Sequence, residues 1–217
     1  MFIVNSYALA VIFCFITMMC WGSWGNTQKL AAKSWRYELF YWDYVIGMLL
    51  FSLVICFTMG SFGSQGRSFI EDLGQADAAN IWSVILGGVI FNASNILLSA
   101  STSIAGLAVA FPLGVGLSLV LGVIINYIGA PKGDPVILFL GVALIVIAVI
   151  CNGIASGRMQ KGKDTKDSGQ NRKGLILAVV AGVLMSFFYR FVAKAMDLGN
   201  FEHPAPGMLT PYTAIFI

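Results

Sequence analysis

Residues 136–156, VILFLGVALIVIAVICNGIAS, decide the fold class, because this stretch contains no charged side chain and almost no polar one. A helix needs about 20 apolar residues to cross the hydrocarbon core of a bilayer. Inside lipid every backbone N–H and C=O group must be bonded within the protein, so an apolar run of this length is expected to form a spanning helix.

Stretches of the same kind lie on both sides of this one. The predicted spans are residues 5–24, 40–60, 81–101, 104–127, 136–156 and 174–193. A further apolar run starts near residue 206 and supplies about 12 residues, too few to cross a bilayer. We therefore predict an all-α polytopic membrane protein, and we expect the sequence to be part of a longer one.

Composition agrees with a membrane protein and argues against other classes. Hydrophobic residues make up 58% of the chain and charged residues 11%, with a mean hydropathy of +0.84, whereas soluble domains carry about 25% charged residues. The net charge of +3 is small and lies mainly in the loops, which indicates topology rather than nucleic-acid binding. The four cysteines have neither paired spacing nor histidine partners, so we expect apolar packing rather than disulfides or metal ligation.

The distribution of Lys and Arg predicts the orientation. These residues are retained on the cytoplasmic side, and nine of them lie in the first, third and fifth connections, against four at most in the second, fourth and sixth. This predicts an N-terminus outside and a cytoplasmic segment 157–173. Six of the nine lie in that segment, so the opposite orientation would follow if it were translocated.

Segment 157–173, GRMQKGKDTKDSGQNRK, is also the clearest boundary in the chain, because it lacks apolar periodicity. Five spans precede it, and a second unit with an odd number of spans would lie inverted in the membrane, a common construction of secondary transporters. We therefore predict a five-helix repeat over 1–156, a solvated linker over 157–173 and the start of a second repeat over 174–217. The linker resembles a phosphate-binding loop at 157–163, but Asp164 replaces the required Ser or Thr, so nucleotide binding is not expected.

The third span contains Asn92 and Asn95, which are three residues apart and share a helix face with Ser99. An amide in hydrocarbon is costly unless it has a partner. Two interpretations stand side by side: the face joins helices, as polar residues often do in membranes, or it forms a polar wall of a solute cavity.

The fourth span contains Pro112, followed by Gly114 and Gly116. Proline removes a backbone hydrogen bond and kinks or breaks a helix, so the span resembles the interrupted helices that mark binding sites in transporters. Two stripes of small residues indicate close helix packing: they are Ala110, Gly114, Ser118 and Gly122 in this span, and Ala178, Gly182 and Ser186 in the sixth. About two residues join the third and fourth spans, which predicts a tight antiparallel hairpin.

Aromatic and acidic residues gather where the first span ends and the second begins. Trp21 and Trp24 share a face, with Asn26 just beyond; they are either interfacial anchors or an aromatic surface for a sugar or flat heterocycle. Glu38 and Asp43 begin the second span, and ionisable residues in spans are often functional. Asp43 is a candidate proton carrier, or else a shallow, hydrated carboxylate.

Three motifs together resemble the ureide permease family of the drug/metabolite transporter superfamily, near the glucose/ribose porters. They are Cys-Trp-Gly-Ser-Trp at 20–24, Trp-Arg-Tyr-Glu-Leu-Phe-Tyr-Trp-Asp-Tyr at 35–44 and Leu-Thr-Pro-Tyr-Thr-Ala at 209–214. The resemblance implies ten helices in two inverted five-helix repeats, a long cytoplasmic connection after the fifth helix, and uptake of small polar solutes with protons. Against that pattern the second repeat is truncated here.

The leading hypothesis is a multi-pass permease of the plasma membrane that takes up a ureide, nucleobase or sugar by alternating access. Half of the solute path is assigned to Trp21, Trp24, Asn26, Asn92, Asn95 and Pro112, and proton coupling to Asp43 or Glu38. The alternatives are an exporter of the same superfamily and, remotely, an intramembrane enzyme, for which no catalytic motif is present. The expected partners are a small polar solute and the lipid bilayer, with a second copy of the chain as a further candidate and without nucleic acid, metal or cofactor.

Overall fold

The structure, a computed structural model, describes residues 1–131, 133–160 and 168–217, and in these ranges every regular element is a helix. The helices are α1 (Tyr7–Ala31), α2 (Tyr37–Phe57), α3 (Phe69–Gln75), α4 (Ala78–Ala105), α5 (Leu107–Gly129), α6 (Pro135–Gln160), α7 (Ser168–Lys194) and α8 (Pro211–Phe216). All except α3 and α8 are long and apolar enough to cross a membrane, which gives six candidate spans. The chain is an all-α polytopic membrane protein, as predicted.

Several element boundaries differ from the predicted ones. α1 ends at Ala31 instead of residue 24, so the Trp-Gly-Ser-Trp-Gly-Asn stretch lies inside the helix. Helix α3 was not predicted at all. α6 runs to Gln160 and α7 starts at Ser168, so both ends of the predicted linker are helical, and residues 161–167, which include part of the phosphate-loop-like run, lie outside the described residues.

The described chain divides into two compact units. The first comprises residues 1–88 and 191–217, and the second comprises residues 89–190. Helices α4 and α7 each contribute to both units. Division of the chain into five-helix repeats remains a prediction.

In the second unit small residues let α5 and α7 approach closely. A Cβ atom added at Gly182 would lie 2.6 Å from the carbonyl oxygen of Gly114, and one added at Gly114 would lie 3.2 Å from that of Ala178. Ala110 and Ala178 are fully buried in one apolar cluster. The two predicted stripes of small residues are therefore confirmed as packing surfaces.

Two serines of α4 bind backbone carbonyls of α7 in the same unit. Ser94 Oγ donates to the carbonyl of Ala181 at 2.7 Å, and Ser101 Oγ donates to that of Gly174 at 2.6 Å. Ser101 lies seven residues after Ser94 on α4, whereas Gly174 lies seven residues before Ala181 on α7, so the two helices run antiparallel. Each buried hydroxyl is thereby satisfied without breaking either helix.

A single residue, Gly106, separates α4 from α5 and has φ +86°. Only glycine adopts this conformation without steric cost. The chain reverses direction at Gly106. Leu98 lies eight residues before it and Gly114 eight residues after it, and the two residues pack directly on one another: a Cβ added at Gly114 would lie 2.7 Å from Leu98 Cδ1. The predicted tight hairpin is confirmed.

Pro112 does not interrupt α5, which continues from Leu107 to Gly129, so the helix is not broken here and a kink at this position stays a prediction. Proline has no N–H to offer the carbonyl four residues earlier, which belongs to Ala108. Ser156 of α6 donates its hydroxyl to that carbonyl at 3.0 Å. Hydroxyl side chains commonly satisfy backbone groups freed by proline in membrane helices, which explains why the helix can continue.

Two connections fold together in the first unit, and we call residues 58–77 and 195–210 the loop cluster. Asp72 has no exposed surface and accepts hydrogen bonds from Arg67 Nε at 2.9 Å and from the backbone N–H of Thr210 at 2.7 Å. Arg67 also donates to the carbonyl of Met208 at 2.6 Å. This buried ion pair therefore fastens the α2–α4 connection to the α7–α8 connection.

Gly207 provides a second set of hydrogen bonds between the two connections. Its φ is +80°, its N–H donates to Gln75 Oε1 at 2.7 Å, and its carbonyl accepts from Asn80 Nδ2 at 2.8 Å. The carbonyl also accepts from the backbone N–H of Asp77 at 3.0 Å, and a Cβ at this position would collide with the Asp77 carboxylate. The positive φ favours glycine here, whereas the side chain of Asp77 could move away from an added Cβ.

The N-terminal residues belong to the same assembly. The backbone N–H of Phe2 donates to the carbonyl of Met59 at 2.7 Å, and its carbonyl accepts from Tyr212 Oη at 2.8 Å. Burial, followed by the nearby Cys56 thiol, raises the pKa of Tyr212. Segments that touch in this way must lie on the same side of a membrane. The order of the helices agrees with this, because an even number of candidate spans separates each of these segments from the next.

Candidate functional site

The predicted site residues divide between the two units, and each group is described on its own. In the first unit Trp24 of α1 packs against Tyr44 and Phe40 of α2, with ring centroids 5.7 Å and 6.5 Å apart. Tyr41 lies 5.8 Å from Tyr44 by the same measure. These four rings form what we call the aromatic group, and they hold the C-terminal half of α1 against the start of α2.

The rings of the aromatic group are tilted relative to one another by 49° to 57°. They therefore present both faces and edges, and a flat heterocycle or the apolar face of a sugar could pack on them. Tyr44 and Tyr41 were not among the predicted site residues. The sequence contained a signal for Tyr44, since it lies four residues after Phe40 and three residues after Tyr41 on a helix that faces Trp24.

Trp21 and Asn26 are more exposed than Trp24. Trp21 is 39% exposed, and Asn26 Nδ2 donates to the carbonyl of Gly22 in its own helix at 3.3 Å. This bond arises because α1 continues past residue 24 and offers a carbonyl one turn earlier. Asn26 is therefore placed on an exposed helical surface.

The two acidic candidates, Glu38 and Asp43, also lie on exposed parts of α2. Glu38 pairs with Arg36 at 3.1 Å, and the two side chains are 44% and 79% exposed. An exposed pair of this kind adds little to stability, because water screens the attraction between the two charges. Glu38 also lies in the first turn of α2, where the helix dipole favours a negative charge.

In the second unit the predicted polar face of α4 is present and largely buried. Asn95 is 3% exposed and Ser99 has no exposed surface, while Asn92 is half-buried. Thr102, which is 8% exposed, continues the same face. The sequence interpretation stopped at Ser99 and missed Thr102, although its spacing of three from Ser99 places it on that face.

Pro112 is half-buried in α5, also in the second unit. Because Ser156 satisfies the carbonyl that Pro112 leaves free, the site offers an intact helix surface here instead of open backbone groups. The helix is continuous at this residue, and the assignment of Pro112 to the solute path stays a prediction.

Metal chemistry finds no support in the part of the chain that the structure describes. No group of three or more His, Cys, Asp or Glu side chains is close enough there to hold a metal ion. The chemistry available in these two groups of residues is hydrogen bonding by amides and hydroxyls, together with aromatic packing.

Comparison with known proteins gives a consistent result. The chain is 29% identical to ureide permease 2 of Arabidopsis thaliana over 73% of its own length and 41% of that protein. It is 24% identical to ureide permease 3 of the same plant over 81% of its length and 51% of that protein. The chain thus spans about half the length of the curated relatives it matches. No solved structure matches it.

A family model described as ureide permease matches residues 40–173, which is more than half of the chain. The matched region starts within the aromatic opening of α2 and includes α4, α5 and α6. It therefore contains Asn92, Asn95 and Pro112 together with Asp43. On this match, the chain belongs to the ureide permease family.

Proposed function

We propose that this protein is a secondary active transporter that carries a small polar solute across a membrane by alternating access. The observation that carries the proposal is membership of the ureide permease family, whose curated relatives are named for ureides. Ureides, nucleobases and sugars share neutral polar groups that need hydrogen-bond partners when they leave water. The chain contributes amides, hydroxyls and aromatic rings for this purpose.

The two groups of candidate residues are given different tasks. Asn92 and Asn95 on α4 would exchange hydrogen bonds with the solute, since buried amides provide donors and acceptors. Trp24, Trp21 and Asn26 of the first unit are a separate candidate group, suited to a flat or apolar surface of a solute. Pro112 is kept as a positioning residue in α5 and not as a direct contact.

Proton coupling is proposed for Asp43, with Glu38 as the second candidate. Both are carboxylates at the start of α2, and a transporter that uses a proton needs a group that gains and loses it during the cycle. Asp43→Asn is expected to abolish pH-driven accumulation while solute exchange continues. Glu38→Gln is the matched variant, and loss of coupling in that variant alone would transfer the role to Glu38.

We further propose that the protein lies in the plasma membrane with its N-terminus outside and segment 157–173 in the cytoplasm. The excess of Lys and Arg in the odd-numbered connections supports this orientation. A reporter that works only in the cytoplasm should be active when it is fused within segment 157–173. Activity at the same position of a reporter that works only outside the cell would show that the orientation is reversed.

Uptake by the complete protein in sealed vesicles tests the main proposal. Vesicles with an imposed pH gradient are offered radiolabelled allantoin, uracil and glucose, and vesicles without the protein are the control. We expect at least one solute to accumulate and a proton ionophore to abolish that accumulation. Movement only outward along the gradient would favour an exporter, and absence of both movement and binding would refute the transporter proposal.

A further inference from the structure

Helix α4 has two different buried faces in the second unit. One face carries Ser94, Leu98 and Ser101, and each of these has a known contact on α7 or α5. The other face carries Asn92, Asn95, Ser99 and Thr102, which are spaced by three and four residues and are all polar. The first face explains how the helices pack, whereas Asn95 on the second face has no such contact.

Asn95 is the residue on the polar face whose position is hardest to explain as packing. Its side chain is 3% exposed, and its Nδ2 donor has no hydrogen-bond partner among the residues that the structure describes. Its neighbours on this face differ, because Asn92 and Ser99 each have an interaction partner in the chain and Thr102 donates to the carbonyl of Ser99 at 2.8 Å.

A buried donor without an acceptor destabilises the fold. Such a group forfeits its hydrogen bonds to water and gains nothing in return, and the usual cost is about 1–3 kcal/mol. Leucine has almost the same shape as asparagine and would avoid this cost. An amide at this position therefore indicates an acceptor supplied from outside the chain.

We propose that Asn95 determines solute specificity, and that its Nδ2 group donates a hydrogen bond to a neutral carbonyl oxygen of the transported solute. This inference rests on the proposed transport function. A neutral acceptor is favoured over a carboxylate because residues 89–105 of α4 contain no charged side chain. The chemical class is a planar amide, imide or ureide carbonyl.

The experiment compares stability and binding in two matched variants of the complete protein in detergent. Asn95→Leu removes the unpaired donor, and Ser94→Ala removes the neighbouring hydroxyl that bonds to α7. Melting temperature is measured without solute, and affinity is measured for allantoin, uracil, glucose and the 2-thio and 4-thio analogues of uracil. Sulfur accepts hydrogen bonds more weakly than oxygen, so the thio analogues report on an individual carbonyl.

We expect opposite results from the two variants. Asn95→Leu should raise the melting temperature and weaken binding of the carbonyl solute by about tenfold or more, the factor that a lost hydrogen bond of ordinary strength gives. It should also remove the preference of the wild type for uracil over one thio analogue. Ser94→Ala should lower the melting temperature and leave affinity within about twofold.

Other outcomes overturn the proposal in distinguishable ways. If the acceptor is a resident water molecule, Asn95→Leu leaves both solute affinity and the thio preference unchanged, and the assignment of Asn95 fails while transport stands. Binding of glucose but of no carbonyl solute has the same consequence. If the wild type binds none of these solutes, the proposed function fails and the assignment fails with it. Asn95→Ala provides the same binding comparison if the leucine variant does not fold.

Discussion

The loop cluster and the α5–α7 crossing fasten their segments by opposite means. In the loop cluster Asp72 and Arg67 form a buried ion pair, and each also bonds to the backbone of the other connection. At the α5–α7 crossing Gly114, Gly182 and Ala178 bring two backbones together without any charge. The first lies outside the candidate spans and the second lies within them.

The difference follows from the surroundings of each region. A connection at the membrane surface folds from water, where partly formed ion pairs remain solvated until the structure closes. Inside lipid an uncompensated charge costs several kcal/mol, and apolar helices gain little from leaving lipid for each other, so close packing and single hydroxyl bonds stabilise their association. Each of three substitutions tests one part of this contrast.

Asp72→Ala is expected to have the largest effect. It leaves the mostly buried Arg67 guanidinium and the backbone N–H of Thr210 without their shared acceptor, and breaking a buried pair by removing one partner costs about 3–5 kcal/mol. Free energies of unfolding in detergent measure this effect. The control is Glu71→Ala, because Glu71 is the neighbouring acidic residue and is exposed; equal effects of the two substitutions would show that the ion pair does not hold the loop cluster together.

Gly182→Ala should have an intermediate effect of about 1–3 kcal/mol, the usual cost of overpacking. Its Cβ would lie 2.6 Å from the carbonyl oxygen of Gly114, which is backbone and cannot rotate away. Gly141→Ala in α6 is the control, since a Cβ there meets nothing within 4 Å. Thermal unfolding should separate the two variants, and identical melting temperatures would argue against the close crossing.

Ser101→Ala should have the smallest effect, about 0.6 kcal/mol, the average for such side-chain bonds between membrane helices. The hydroxyl it removes donates to the carbonyl of Gly174 at 2.6 Å. Ser118→Ala is the control, because Ser118 Oγ donates only to Val115 in its own helix. A cost for Ser101→Ala as large as that of Asp72→Ala would remove the contrast between the two regions.

The spans, the tight hairpin between the third and fourth spans and the small-residue stripes could be predicted from sequence because each depends on a local pattern. Apolar length defines a span, and residues four apart in the chain are neighbours on a helix. The same reasoning placed Asn92 and Asn95 on one face of α4. Their burial follows from packing that no local pattern encodes.

The loop cluster could not be predicted because its bonds join residues that are far apart in the chain. Arg67 and Met208 are 141 residues apart, and Arg67 does not belong to an apolar pattern. The continuity of α5 at Pro112 has a similar origin. Proline correctly indicated a freed carbonyl at Ala108, but the compensating hydroxyl of Ser156 lies 48 residues further on.

The hydroxyl of Ser156 makes the effect of a substitution at position 156 depend on the residue at position 112. With Pro112 in place, Ser156→Ala leaves the carbonyl of Ala108 without a donor; with Ala at position 112, the backbone N–H returns and the hydroxyl becomes dispensable. A double-mutant cycle should therefore show that Pro112→Ala suppresses the cost of Ser156→Ala. During divergence of related sequences the proline is therefore expected to become fixed after the serine. The serine is expected to be lost only after the proline has been lost. The order of substitutions is thus constrained at two positions on different helices.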